Sequence, residues 1–434
     1  MATRTAPLED TSAHPPVPRR VLIALCATQI TSWGVLFYAL PVLLGDITSA
    51  TGWSTAAVMG AFSAGLAVSA LAGIVVGHLL DRCGPRIVMS AGSVIATASV
   101  IAIAAAPNLW WFTSGWMLSG VAQASVLYKP AFAAITAWYG TTRVRALTIL
   151  TLAGGLASTV FAPLTAFLAD HLDWRGVYLV LAVILAVITI PAHAIALDPP
   201  WPEQEPHPAP GKAAAPARSR RQIVRSPGFV GLATALALTS FAMYASNLYL
   251  VPLLTERGMD TVTAAWALGL CGAGQLLGRI GYAPFAKRTG TTARTTAILA
   301  AGAAATVAVA AFSRPVVLVF AVVILLGAAR GAFTLLDATA VTDRWGTNGY
   351  ATLHGILSAP ATIAIALSPW AGALLIDWTG GPPQMFSALA GLILLAAAII
   401  MGERAYAKRS THRGQHGSPE DASSRASVRR SDRR

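Results

Sequence analysis

Twelve long apolar stretches run through this chain, broken mostly by short turns and once, near the middle, by a polar gap over residues 198–226. Between Val21 and Gly45 there is no charged side chain, and between Ile47 and Leu80 again none. Lipid cannot satisfy exposed backbone N–H and C=O groups, so a run of about twenty apolar residues crosses a bilayer as a helix. The pattern predicts an all-α membrane protein, with spans near 21–45, 54–80, 87–106, 110–137, 147–169, 175–197, 227–254, 262–285, 294–312, 315–340, 350–376 and 381–401. Pro107-Asn108 is a turn dipeptide that separates the third span from the fourth.

Charge placement orients these helices. The chain carries a net charge of +13. In a soluble protein that excess would point to nucleic acid, but 55% hydrophobic residues against 11% charged exclude a soluble domain of this length. Of 31 Lys and Arg residues, 25 fall in the tails, the central gap and alternate turns. The opposite turns hold Arg175, Arg257 and Arg314, and the remaining three lie inside spans. By the positive-inside rule both termini are cytosolic and the helix count is even. Arg19-Arg20 precedes the first span without a small-residue cleavage site, as in an uncleaved signal anchor. Cys26, Cys83 and Cys271 sit in spans or a cytosolic turn and imply no disulfide framework. The expected organisation is a cytosolic tail (1–20), a six-helix bundle (21–197), a flexible Pro/Ala-rich and basic linker (198–226), a second bundle (227–401) and a disordered basic tail (402–434).

The two halves echo each other. Tyr38-Ala-Leu-Pro41 in helix 1 resembles Tyr249-Leu-Val-Pro252 in helix 7, and Asp81-Arg82-Cys83-Gly84 after helix 2 resembles Lys287-Arg288-Thr289-Gly290 after helix 8. Parallel six-helix repeats place a substrate site at their interface near mid-membrane.

The turn after helix 2 reads Gly77-His-Leu-Leu-Asp81-Arg82-Cys-Gly84-Pro-Arg86. Gly84 and Pro85 suit a tight turn. Gly77 is expected to let a neighbouring helix approach closely. Asp81 can be attracted to the positive N-terminus of another helix, and Arg82 and Arg86 hold the turn on the cytosolic side. With this pattern the chain resembles the major facilitator superfamily over residues 20 to 401. Trp33-Gly34, Trp138-Tyr139, Arg143, Arg145-Ala-Leu, Gly154-Gly155 and Asp173-Trp174-Arg175-Gly176 narrow the resemblance to the bacterial monocarboxylate and oxalate/formate porter branch, as does an arginine in helix 8, here Arg279. The resemblance implies a twelve-helix secondary transporter with alternating access and a cavity lined by helices 1, 4, 7 and 10. It also implies a gate at Gly77, Asp81, Arg82, Gly84 and Arg86, with the start of helix 11 beside Asp81. The Gly-Pro-rich helix 5 motif of drug/proton antiporters is not matched at Leu156 to Pro163.

Ionisable groups inside spans are costly and mark function. Lys129 in helix 4, Arg279 in helix 8, and Arg330 and Asp337 in helix 10 leave the spans net positive, which suits an anion, and Arg offers a carboxylate a bidentate fork. Gln275 lies one turn before Arg279 as an orienting partner. Pro130 after Lys129 can open helix 4. Asp337 is the lone deep carboxylate and the first candidate to carry a proton; an ion pair with Lys129 or Arg279 is an equal alternative. His354 in helix 11 is the second proton candidate. Trp33, Tyr38, Gln123, Tyr244 and Asn247, with Gln29, are expected to line the cavity, and Trp53, Trp110, Trp111 and Trp174 to anchor span ends at the interface.

The sequence carries no phosphate-cradling G-x-x-x-x-G-K loop, no Cys/His cluster with metal spacing and no nucleophile–base pair. The reading is a non-enzymatic inner-membrane transporter without cofactor or metal. Its partners are a small organic anion, a carboxylate by preference, and the lipid bilayer, with no nucleic acid and no obligate protein. Efflux of drug-like or toxic compounds is the alternative, and a non-transporting membrane sensor a remote third.

Overall fold

The computed structural model describes residues 19–139, 142–201, 217–345 and 350–415. The expected tail before residue 19, the linker core 202–216 and the tail beyond 415 lie outside the described residues. Among the described residues, ten helical segments are long and apolar enough to cross a membrane. One of them, Thr55–Ala104, is two helices joined at Gly84, whose φ of 73° is non-helical. A twelfth crossing is built from Leu109–Val126 and Tyr128–Trp138. The result is twelve membrane-crossing helices in two six-helix bundles.

Helix 1 is Arg19–Thr51, and helices 2 and 3 share Thr55–Ala104. Helix 4 is the broken pair just named. Helices 5 and 6 are Arg145–Ala169 and Trp174–Ala196. Helix 7 is Pro227–Leu248, continued by Leu250–Glu256. Helices 8, 9 and 10 are Thr261–Arg288, Thr291–Ala311 and Val316–Thr339. Helix 11 is Tyr350–Thr379 and helix 12 is Pro382–Gln415. Both described ends therefore lie on one side of the membrane, the terminal side.

Side chains fix where helices begin. Ser54, Asn108, Asp173, Ser226 and Asp260 each accept a hydrogen bond from the backbone N–H three residues on, which satisfies a donor the helix cannot. Small residues fix how helices meet. Gly65 on helix 2 and Gly120 on helix 4 lie against backbone of the other helix, where a Cβ would collide. Gly274 and Gly278 on helix 8 face the backbone of helix 10, and Gly327 and Gly331 on helix 10 face that of helix 8. In lipid, where apolar burial does not drive association, such backbone approach supplies the packing. Gly65 is the counterpart of Gly274 and Gly120 of Gly331, so the internal repeat extends to the packing surfaces.

Several expectations are corrected. Gly77 has nothing within 4 Å of the point where a Cβ would stand, so no helix needs its bareness. The linker does not begin at 198: Asp198 pairs with Arg20 at 2.5 Å, and Trp138 Nε1 donates to the Pro200 carbonyl at 3.1 Å. Residues Ala217–Val224 form a short helix. Helix 12 runs on past 401 to Gln415. Trp174 is buried, packed on Phe112 and Tyr178 and covered by Arg175, and is not an interfacial anchor. Trp110 and Trp378 are the strongly exposed tryptophans at span ends. Gly290 has an ordinary φ of −70°, so the turn after helix 8 is not built like the one at Gly84.

Candidate functional site

A cavity of about 390 Å³ lies between the bundles. Helices 1, 4, 7 and 10 line it, as expected, joined by residues of helices 2, 5, 8 and 11. Its lining starts at mid-membrane with Trp33, Tyr244 and Gln275 and continues towards the terminal side to Lys129 and Asp337. On the opposite half the bundles are in contact. Trp370 N donates to Ser63 Oγ at 3.0 Å, and Thr159 Oγ1 donates to the Gly269 carbonyl at 2.8 Å. The cavity therefore faces the terminal side.

Helix 1 shapes the wall through a π-helical turn, Gly34–Tyr38. A wider turn places Tyr38 beside Trp33 as well as Phe37, so three aromatic residues face the cavity instead of two; such turns recur at functional sites. Trp33 meets Phe37 edge-on at 5.5 Å and Tyr128 at 5.3 Å, and Phe37 meets Tyr244 edge-on at 6.1 Å. Gly34 backs onto Phe161, which leaves no room for a side chain.

Helix 4 breaks at Leu127, earlier than Pro130 itself. The ring of Pro130 cannot coexist with a helical bond to the Val126 carbonyl. That freed carbonyl accepts from Gln29 Nε2 at 2.7 Å. Gln29 is thus a buried structural partner and does not line the cavity. The break turns Tyr128 and Lys129 into the cavity, and Lys129 is exposed at its mouth, beside Gly73. Gln123 lines the cavity and donates to Ser119 Oγ at 3.3 Å.

Arg330 sits at the deep end, 8% exposed, with its guanidinium over the Tyr244 ring at 4.6 Å. Tyr38 and Tyr244 are its electrostatic neighbours. Its Nη1 is buried without a hydrogen-bond partner. Arg279 stands closer to the terminal side. Its Nη1 donates to the Thr151 carbonyl of helix 5, across the bundle interface, while its Nε is buried and unpartnered. The Tyr128 hydroxyl lies against it. Gln275, expected to orient Arg279, interacts instead with Tyr38, and its Nε2 is buried without a hydrogen-bond partner.

Asp337 lines the cavity, and its electrostatic neighbour is His354, not Lys129 or Arg279. His354 itself does not line the cavity. Asn247, expected in the wall, is buried behind Arg330 with its Nδ2 4.0 Å from Cys271 Sγ. Tyr128, Phe37, Met243 and Phe333 line the cavity without standing out in the sequence. Phe37 shares a helical face with Trp33, and that signal could have found it; Tyr128 depends on the helix break.

At the gate motif, Gly84 adopts the left-handed conformation that favours glycine. Trp201 covers it, 3.1 Å from where a Cβ would stand, and donates its Nε1 to the Asp81 carbonyl at 3.3 Å. Arg86 Nε donates to the Ala194 carbonyl at the end of helix 6 at 2.8 Å. Arg82 is exposed. In the second half the corresponding end is held by buried Arg294, which pairs with Asp343 and lies over Tyr282 at 5.5 Å.

The sequence profile described as Major Facilitator Superfamily matches residues 22–359. Monocarboxylate transporter 13 of Bos taurus is 26% identical over 262 residues, 59% of this chain and 57% of that protein. Monocarboxylate transporter 11 of Homo sapiens is 28% identical over 222 residues, 50% of this chain and 45% of that protein. The chain thus spans about half the length of the curated relatives it matches. Among solved structures, an inward-facing bacterial homologue of the human lysosomal transporter Spinster superposes with a TM-score of 0.75 at 16% identity, covering 91% of this chain and 99% of that one. The nucleoside transporter NupG superposes equally well, with a TM-score of 0.75 at 12% identity over 88% of this chain and 99% of that one. These likenesses concern the fold.

Proposed function

Because the chain belongs to the Major Facilitator Superfamily, we propose that it is a secondary transporter moving a small organic anion, a carboxylate by preference, by alternating access. The observation that carries this reading is Arg330: a buried guanidinium at the deep end of the cavity with an unpartnered Nη1. A buried charge without a counter-charge is costly, and an entering carboxylate offsets that cost through a charge-assisted hydrogen bond. The lining carries three cationic side chains, Arg330, Arg279 and Lys129, against one carboxylate, Asp337. The relatives named as monocarboxylate transporters support the same substrate class.

In this reading the terminal side is the cytosol, from the 25-to-3 distribution of Lys and Arg, and the membrane is a bacterial inner membrane. Arg330 and Arg279 hold the anion. Rocking of the bundles breaks the Trp370–Ser63 contact on the opposite half and closes the Asp81–Arg86 end. Asp337, with His354 beside it, carries a proton if transport is proton-coupled; Asp337→Asn is then expected to abolish the response to a pH gradient while leaving substrate exchange. An unchanged response in that variant moves the role to His354.

The deciding experiment is uptake by proteoliposomes of the full chain, with labelled carboxylates and cationic dyes, with and without a pH gradient. Uptake of an acid supports the reading; uptake of cations alone overturns it. The efflux alternative draws on the aromatic wall of the cavity, but the excess of lining cations favours the anion.

A further inference from the structure

Resting on the organic-anion reading, we propose that the anion taken by this cavity carries an aromatic ring as its body, seated on Trp33 and Phe37 while its carboxylate reaches Arg330. The guanidinium carbon of Arg330 lies over the Tyr244 ring at 4.6 Å, and its Nη1 is buried without a partner, so that nitrogen remains for an acid. An oxyanion at that nitrogen brings whatever it is attached to alongside the π-helical turn of helix 1. There Trp33 and Phe37 meet edge-on, and Phe37 and Tyr244 do the same. Edge-on rings leave part of each face open, and a further ring completes such a set in the offset or T-shaped geometry that aromatic groups prefer. Phe333 and Met243 close the space from the other bundle.

Gln123 is turned to Ser119, while Gln275 Nε2 and Trp33 Nε1 are buried without partners. Those two donors are few against an otherwise apolar and aromatic wall, so a sugar-like body would lose more hydration here than they could replace. A two- or three-carbon acid would reach the arginine but leave the aromatic wall wet. At about 390 Å³ the cavity falls within the roughly 300–1,000 Å³ that sites for larger organic ligands occupy.

The test uses purified full-length protein and four probes: propionate, 3-phenylpropionate, 3-phenylpropan-1-ol and 3-phenylpropylamine, with affinities measured by titration calorimetry. The phenyl acid is expected to bind at least about tenfold more tightly than propionate, and than the alcohol or the amine. Each aromatic contact is worth about 0.5–1.5 kcal/mol, so Trp33→Leu and Phe37→Leu should each shrink the phenyl-to-plain ratio by about threefold to tenfold. Trp33→Phe should preserve it, and in all three variants any loss of affinity for propionate should be smaller than the loss for the phenyl acid. Melting temperatures of the unliganded variants establish that they are folded. Equal affinity for the two acids overturns the aromatic body and leaves the anion reading intact. An alcohol or amine binding as tightly as the phenyl acid overturns the anion reading, and binding of none of the four overturns both.

Discussion

Helices 2 and 4 meet through Gly65 and Gly120, and helices 8 and 10 meet through their counterparts Gly274 and Gly331. The framework is shared, but the two halves hang different chemistry on it. Arg330 stands just before Gly331, and the same place before Gly120 holds Ser119, fully buried and outside the cavity. Arg279 follows Gly274 by the same step that takes Gly65 to Ala70. The first half contributes the aromatic wall from a π-turn in helix 1 and a break in helix 4. The second half keeps helices 8 and 10 continuous and carries both arginines and Asp337. A repeat built on one packing scheme has thus divided its labour unevenly: the second half carries the buried charge, and the first carries the irregular helices that shape the wall, with Lys129 at the mouth as its one lining cation.

The sharpest way to break this division is to remove the charge. Arg330→Ala is expected to abolish transport with the fold retained, since truncating one partner of a buried charge pair costs about 2–5 kcal/mol. Arg279→Lys should impair transport less, because a point charge replaces a fork. Near-wild-type uptake of a carboxylate by both variants would refute the assignment. Moving the arginine to Ser119 in an Arg330→Ser background should not restore uptake, because that position does not reach the cavity.

The shared framework is probed next. Gly331→Leu drives a side chain into the helix 8 backbone, and overpacking of this kind costs about 1–3 kcal/mol. Gly77→Leu enters open space and should change stability by no more than about 0.5 kcal/mol. Equal thermal stability of the two variants would show that the close approach of helices 8 and 10 is dispensable. A smaller effect is expected from Trp201→Ala, which uncovers Gly84 and frees the Asp81 carbonyl. It should raise labelling of a single cysteine placed at the terminal-side gate and lower the transport rate, while leaving affinity at Arg330 unchanged. Identical labelling in both backgrounds would make Trp201 a passive cover.

The smallest effect concerns the start of helix 8. Hydrogen bonds from Thr263 hold the Asp260 carboxyl below the usual carboxylate range. A folded-state pKa lowered in this way stabilises the fold above the unfolded value, and that contribution is lost as pH falls through the folded one. Asp260→Ala should lower stability at neutral pH by about 1 kcal/mol, the usual worth of such a cap. The gap should close as the pH drops below the carboxylate range, and a gap that persists in acid would exclude the cap as its cause.

Much of this architecture was legible because membranes impose severe rules. Unbroken apolar length marks the spans, and Arg330 stands out because a cation so deep in a span is costly. What escaped was set by backbone irregularity. Nothing in Gly34 to Tyr38 announces a π-turn, so the joint presentation of Phe37 with Tyr38 is hidden in the sequence. The break at Leu127 lies three residues before the proline that causes it, because the steric conflict falls on the carbonyl four residues earlier. Asn247 and Gln29 look alike in sequence to lining amides; burial behind Arg330 and beneath Val126 respectively decides otherwise. Gly77 fits its motif, yet its surroundings are empty.

The seam between helices 8 and 10 has a mechanical consequence. Four glycines bring the two backbones into direct apposition, so neither helix can slide or roll past the other without steric collision. Arg279, Arg330 and Asp337 are bolted to one stiff plate. Whatever motion exposes the cavity to either side, the spacing of those charges travels unchanged, like type set in a block. A ligand held by these three side chains would therefore meet them at the same spacing in any motion that keeps helices 8 and 10 together. Any difference in how firmly it is held would have to arise from the opposite wall, which carries Trp33, Phe37, Tyr128 and Lys129.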